Sequence, residues 1–300
     1  MTTASRVILT NDVDLSSVAY GMWRLGDDTD TSPSHIQAKI EACLALGITT
    51  MDQADIYGGY EAEELLGACF RQSPALRDRV EIVTKCGIVA PAGRYADARV
   101  KHYNTSKEHI LQSVDTSLRL MNIDVIDLLL IHRPDPFMDH RNAAEGLEAV
   151  IASGKVKSVG VSNFKPHDWQ LLESAMSSPL VTNQIEMSVM ATEAFTNGDL
   201  SFLQQRDVPA MAWSPLGGGG LFTGTNAQLT ATLKSVSERF DTDISNVALA
   251  WLMSHPSAII PVLGTNKIER IGNVEAALSL RLDRETWFEI YTAAIGRDVP

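Results

Sequence analysis

Val125-Ile-Asp-Leu-Leu-Leu-Ile-His132 is apolar almost throughout and ends on an imidazole, followed by Arg133-Pro134. A strand wet on one face alternates apolar and polar residues. An almost unbroken apolar run instead belongs to a strand buried on both faces, as in a parallel sheet covered by helices. Seven other short runs read the same way, at 18–21, 48–52, 80–85, 156–162, 181–186, 208–213 and 258–263. Helical patterns separate them. Ser32-Pro33 is an N-cap followed by Pro at the first helical position. Thr105 with Glu108 has capping-box spacing ahead of Ile110, Val114, Leu118 and Met121, and Asn266 with Glu269 repeats it ahead of Ile268, Ile271 and Leu278.

Eight strand-like runs, most followed by a helix-like segment, predict an α/β fold, a (β/α)8 TIM barrel formed by residues 1–300 as a single domain. Two additions are expected. Residues 7–9 and 14–16 flank Asn11-Asp12 as an N-terminal β-hairpin closing the barrel floor. An extra C-terminal helix starts at Asp283 and carries Trp287, Ile290, Tyr291 and Ala294 on one stripe. A doubly wound sheet also alternates strand and helix, but no GxGxxG follows the first run and no linker divides the chain.

The composition narrows the function. With 300 residues and 45% hydrophobic content the chain can bury a large core. Its 25 basic and 37 acidic residues give a net charge of −12, which argues against nucleic acid and requires a local positive site for any anionic ligand. Met1 to Val7 lacks the apolar stretch of a secretory signal, and no run approaches the ~18 apolar residues of a membrane span. Cys43, Cys69 and Cys86 show no CxxC spacing and read as buried thiols of a cytoplasmic protein. Nothing in the chain requires more than a monomer.

Barrel enzymes place their chemistry at the carboxyl ends of the strands. There the second run ends at Asp52 and continues to Tyr57, the third ends at Lys85 and the fourth at His132. Singly, each has an ordinary structural reading: a turn-opening Asp, a loop aromatic, a snorkelling Lys, a satisfied core His. Together they form a device. A phenol with pKa ~10 becomes a usable acid–base group when a cation such as Lys85 favours the phenolate. Asp52 would hold that cation, and His132 would add a hydrogen bond to the oxygen that Tyr57 protonates. Asp52, Asp55 and His132 on a metal, as in a barrel hydrolase, are the poorer alternative.

At these residues the sequence resembles the aldo-keto reductase family. Asp52-Gln-Ala-Asp-Ile-Tyr57, Lys85 and His132 match its Asp/Tyr/Lys/His tetrad in order and spacing. Val159-Gly-Val-Ser162-Asn163-Phe164 and Ala212-Trp213-Ser214-Pro215-Leu216-Gly217 match two further blocks. The likeness runs from about Leu15 to Leu282 and is greatest to the bacterial YdhF-like subgroup, on His132-Arg-Pro-Asp-Pro136 and the glycines Gly217 to Gly220. It implies NADPH-dependent reduction of aldehydes or ketones to alcohols, with no metal and no flavin. Tyr57 would be the general acid, Lys85 and Asp52 would lower its pKa, and His132 would orient the carbonyl. A small-molecule carbonyl compound is the implied partner, with neither nucleic acid nor membrane.

The resemblance also carries cofactor contacts. Ser162, Asn163 and Gln184 match residues that bind the nicotinamide carboxamide, and Trp213 matches the aromatic stacked on that ring. Ser214, Pro215, Leu216 and Gly217 match the loop beside the pyrophosphate, where glycine-rich backbone can approach phosphate. Trp23 would line the substrate mouth and touch the cofactor together with Met22. Of the block that grips the 2′-phosphate, Thr265 and Arg270 keep their spacing while Gly264 stands where a Lys is expected. Lys267, opening a helix, supplies a charge nearby, and Asn273 falls in the adenine-binding block.

The rival from another class is a non-catalytic, cofactor-sensing regulatory subunit on the same fold. The insertion at 87–104, with Arg94, Tyr95, Arg99, Lys101 and His102, is expected to be a solvated surface loop; the alternative is a cover over the pocket favouring acidic carbonyl compounds.

Overall fold

The buried runs pair side by side until the sheet closes on itself. The computed structural model describes residues 2–224 and 226–300. Its strands are β1 (Arg6–Ile8), β2 (Asp14–Ser16), β3 (Ala19–Gly21), β4 (Thr50–Asp52), β5 (Glu81–Cys86), β6 (Ile88–Val89), β7 (His102–Tyr103), β8 (Ile126–Ile131), β9 (Val156–Ser162), β10 (Leu180–Glu186), β11 (Ala210–Trp213) and β12 (Ile260–Leu263). The closed barrel runs β3-β4-β5-β8-β9-β10-β11-β12, and β12 returns to β3 in parallel through Val262↔Ala19 and Leu263↔Tyr20. Gly21 stands at this seam: a Cβ there would lie 2.6 Å from the Leu263 carbonyl oxygen, so a side chain would push the closing strands apart.

The eight predicted runs are the eight barrel strands, and β8 shows why its sequence does not alternate. Leu128 and Leu130 join the cluster that fills the barrel with Ala19, Val83, Met211 and Ile260. Leu129 and Ile131 face outward, into the apolar layer beneath the helices. The predicted hairpin is β1–β2, and Leu15 with Val13 plugs the barrel floor. The predicted last helix is Arg284–Ile295, capped by Asp283. Its Trp287 stacks on Trp251 at 4.8 Å, and each indole N–H donates to the other's backbone carbonyl at 3.0 Å. No helix among the described residues is long and apolar enough to cross a membrane.

Three local expectations are corrected. Helix Lys107–Met121 is capped by Ser106, whose extended backbone lets Oγ accept the His109 N–H, while Thr105 donates to Asp135 instead. Asn266 caps nothing and donates to the Arg24 carbonyl at 2.6 Å. The helix after it, Ile268–Gly272, starts from Lys267 without a side-chain cap, and Leu278 belongs to a separate short helix, Glu275–Ser279. The 87–104 insertion is more than a solvated loop. β6 and β7 pair antiparallel at its base, and the Tyr60 hydroxyl donates to the Ile88 carbonyl at 3.2 Å and accepts the Ala90 N–H at 2.8 Å.

Candidate active site

Asp52 ends β4 and Lys85 lies near the end of β5, so the parallel register brings an acid and an amine to the same rim. Lys85 is fully buried. Its ammonium donates to Asp52 Oδ1 and Oδ2 at 2.9 and 2.8 Å, to the Gln53 carbonyl at 2.8 Å and to the Tyr57 hydroxyl at 3.0 Å. His132 follows β8, tied by its N–H to the Cys86 carbonyl at 2.9 Å. Its ring stands edge-on to Tyr57, with centroids 5.9 Å apart. The four residues expected to form a tetrad therefore meet at one point on the rim.

Electrostatics follow from burial. Burial works against the Lys85 ammonium, but the Asp52 carboxylate and the Tyr57 oxygen reverse that and leave its pKa raised. Burial raises Tyr57 by more than Lys85 pulls it back, and the Asp52 carboxylate adds to the rise. Lys85 thus acts in the expected direction and Asp52 against it; burial outweighs the pull of Lys85, so around neutrality Tyr57 holds its proton, the form a general acid needs. Burial also depresses His132 well below the usual histidine range, assisted by Lys85 and Arg133, so a neutral imidazole faces the phenol. Its Nδ1 is buried without a partner.

The expected cofactor residues fall into four groups. Ser162 Oγ donates to the Gln184 carbonyl at 2.8 Å, Asn163 Nδ2 donates to Ser162 Oγ at 2.7 Å, and the Trp213 indole donates to Asn163 Oδ1 at 3.0 Å. Gln184 is not free: its Nε2 donates to Asp52 Oδ1 at 2.8 Å, which makes it a clamp on the tetrad's acid. Ser214 to Gly217 form a tight turn, closed by the Gly217 N–H on the Ser214 carbonyl. Gly217, Gly218 and Gly219 follow with φ of 60, 62 and 101°, conformations open to glycine. Met22 is buried, its sulfur accepting from Gln53 Nε2 at 3.4 Å. Trp23 is 56% exposed.

Lys267, Arg270 and Asn273 stand exposed beyond β12, three residues apart, with Gly264 and Thr265 just before them. Neither cation forms an ion pair among the described residues, so this corner can receive an anion. Asp52, Asp55 and His132 do not assemble as metal ligands, because Lys85 and Gln184 occupy Asp52 and Arg94 occupies Asp55.

Three features escaped the sequence reading. Arg133 lies 5.7 Å over the Trp213 ring and adds to the positive field on Tyr57 and His132; its place directly after a strand-end histidine was the available signal. Arg24 spans two loops, donating to the Gly218 carbonyl at 3.3 Å and receiving Asn266 on its own. Glu63 is buried in the helix Ala62–Gln72, accepting from Thr84 and Ser117 at 2.7 and 3.0 Å. Nothing in the local sequence marks it.

The profile of the aldo/keto reductase family matches residues 17–294. A protein of Agrobacterium fabrum named 6-dehydroglucose reductase is 60% identical over 98% of this chain and 99% of its own length. Oxidoreductase YdhF of Escherichia coli is 42% identical over 96% of each chain. Among solved structures, the thermostable aldo-keto reductase Tm1743 superposes with a TM-score of 0.81 at 22% identity, covering 96% of this chain and 99% of its own. An aldo/keto reductase of Klebsiella pneumoniae in complex with NADP and acetate gives 0.75 at 24% identity, over 93% and 91% of the two chains.

Proposed function

This chain belongs to the aldo/keto reductase family, and from that premise we propose that it reduces an aldehyde or ketone to the alcohol at the expense of NADPH, with Tyr57 as the general acid. Bound NADPH supplies the hydride. The Tyr57 hydroxyl delivers the proton to the carbonyl oxygen, and Lys85, 3.0 Å away, stabilises the phenolate left behind. The neutral His132 would donate a hydrogen bond to the same oxygen and orient the carbonyl. Asp52, held by Lys85 and Gln184, keeps the ammonium aimed. The Lys85–Tyr57 contact is the observation that carries this reading.

The substrate class comes from the relatives. Two proteins named 6-dehydroglucose reductase, 60% and 35% identical over 98% and 99% of this chain, point to an aldehyde on a polyhydroxylated carbon skeleton, such as glucose oxidised at C6. The test follows NADPH absorbance with 6-dehydroglucose and a panel of simple aldehydes and ketones. Consumption fastest with the sugar aldehyde is the expected result. Consumption only with simple aldehydes removes the substrate class, and tight NADPH binding with no consumption replaces the enzyme by a cofactor sensor.

Trp213 would bound the nicotinamide, with Ser162 and Asn163 on its carboxamide. Lys267 and Arg270 would hold the 2′-phosphate, and Thr265 would add its hydroxyl. Arg270→Ala is expected to weaken NADPH binding by about 1–3 kcal/mol, the worth of a charge-assisted contact, while leaving NADH nearly unchanged. Fluorescence titration with both cofactors checks this. Parallel losses would take Arg270 off the phosphate.

A further inference from the structure

The tetrad does not use the buried acid two residues before Tyr57. Asp55 is 1% exposed, and its Oδ2 meets Arg94 of the 87–104 insertion at 3.3 Å. Its other oxygen is buried without a partner. Burial and the neighbouring Glu63 carboxylate push its pKa up to about 8 against the pull of Arg94. The Arg94 side chain, 24% exposed, lies over two phenol rings, 4.9 Å from the centre of Tyr60 and 5.3 Å from that of Tyr95. A surface loop has no need to send a guanidinium into such a place.

The landing points of this insertion bracket Tyr57. Arg94 reaches down to Asp55, and Tyr60 reaches up to the backbone of Ile88 and Ala90. Between these two staples, Gly93 rests on the turn itself: a Cβ there would lie 2.4 Å from the Gly59 carbonyl oxygen, and its φ is +49°. The segment so clamped also scaffolds Lys85. The Asp55 N–H donates to the Lys85 carbonyl at 3.0 Å, and the Gln53 carbonyl accepts the Lys85 ammonium. Farther along the insertion, Lys101 adds to the field that keeps His132 neutral.

We propose that Arg94 is a positioning residue for the reaction: by pinning the 87–104 insertion to Asp55, it holds the Tyr57 turn so that the phenol stays seated on Lys85. The proposal rests on Tyr57 being the acid. Misplacing a reacting group by about 1 Å can cost about a hundredfold in rate. Arg94→Ala is therefore expected to lower kcat about tenfold to a hundredfold, counted per NADPH-binding site, while NADPH affinity stays within about twofold. Arg94→Lys, which still places a cation on Asp55, is expected to recover part of the loss. Arg99→Ala, an exposed charge of the same insertion, should match the parent chain.

The experiment measures kcat, KM, NADPH titration and melting temperature for these variants, with Asp55→Asn and Tyr57→Phe alongside. A kcat per site unchanged in Arg94→Ala, with only the melting temperature lowered, would overturn the proposal and make the pair a stability contact. Should Arg94→Ala not accumulate folded, Arg94→Lys and Asp55→Asn decide: parental kcat in both overturns it, reduced kcat at parental NADPH affinity supports it. Undiminished turnover in Tyr57→Phe is the distinct result that would remove the general-acid reading beneath it.

Discussion

Tyr57→Phe is expected to lower the turnover number for carbonyl reduction by about 10²- to 10⁴-fold, the range a positioned general acid supplies. The substitution removes one hydroxyl. Lys85 keeps Asp52 and the Gln53 carbonyl as acceptors, so no buried charge is stranded and the fold and NADPH affinity should be nearly unchanged. Single-turnover absorbance with saturating NADPH measures the effect free of product release. Turnover equal to that of the parent would take the proton-donor role away from Tyr57. The pH dependence carries the sign. Because the folded pKa of Tyr57 is raised, the phenol is protonated through neutrality, so the reduction rate should stay level there and fall only as pH rises past that raised value. Neutral His132 should add no break near the ordinary histidine pKa of ~6.5.

Lys85→Met should affect both activity and stability. It leaves the Asp52 carboxylate, 1% exposed, with the Gln184 amide but no cation. Breaking one partner of a buried ion pair costs about 3–5 kcal/mol, because the remaining charge cannot recover its hydration. Turnover should vanish with it, since nothing then stabilises the phenolate. Chemical denaturation of Lys85→Met and of the Asp52→Asn/Lys85→Met double variant checks the argument. The double variant should regain much of the stability, having no stranded charge, and none of the activity. Equal stability of the single variant and the parent would refute the account. The folded pKa of Lys85 is raised, so its contribution is fully present below the ordinary lysine value of ~10.4 and fades only as pH rises through the raised one.

The barrel was legible from the eight strand runs because burial on both faces removes the polar half of the usual alternation, as Leu128 to Ile131 show. The tetrad was legible for a related reason. In a parallel barrel all carboxyl ends share one rim, so Asp52, Lys85 and His132 could be placed together from strand boundaries alone. Local caps read less well. Thr105 and Ser106 are adjacent and chemically alike, and only the backbone at Ser106 decides which hydroxyl meets the helix amide.

The order of the strands and the shared rim of Asp52, Lys85 and His132 therefore follow from local sequence. Tertiary structure alone decided the charge states and the supporting contacts. Gln184 reaches Asp52 across 132 residues of chain, and Arg94 reaches Asp55 across 39. Tyr57 stays protonated because desolvation outweighs the pull of Lys85. Desolvation depends on everything packed around a group, and no stretch of neighbouring sequence encodes it.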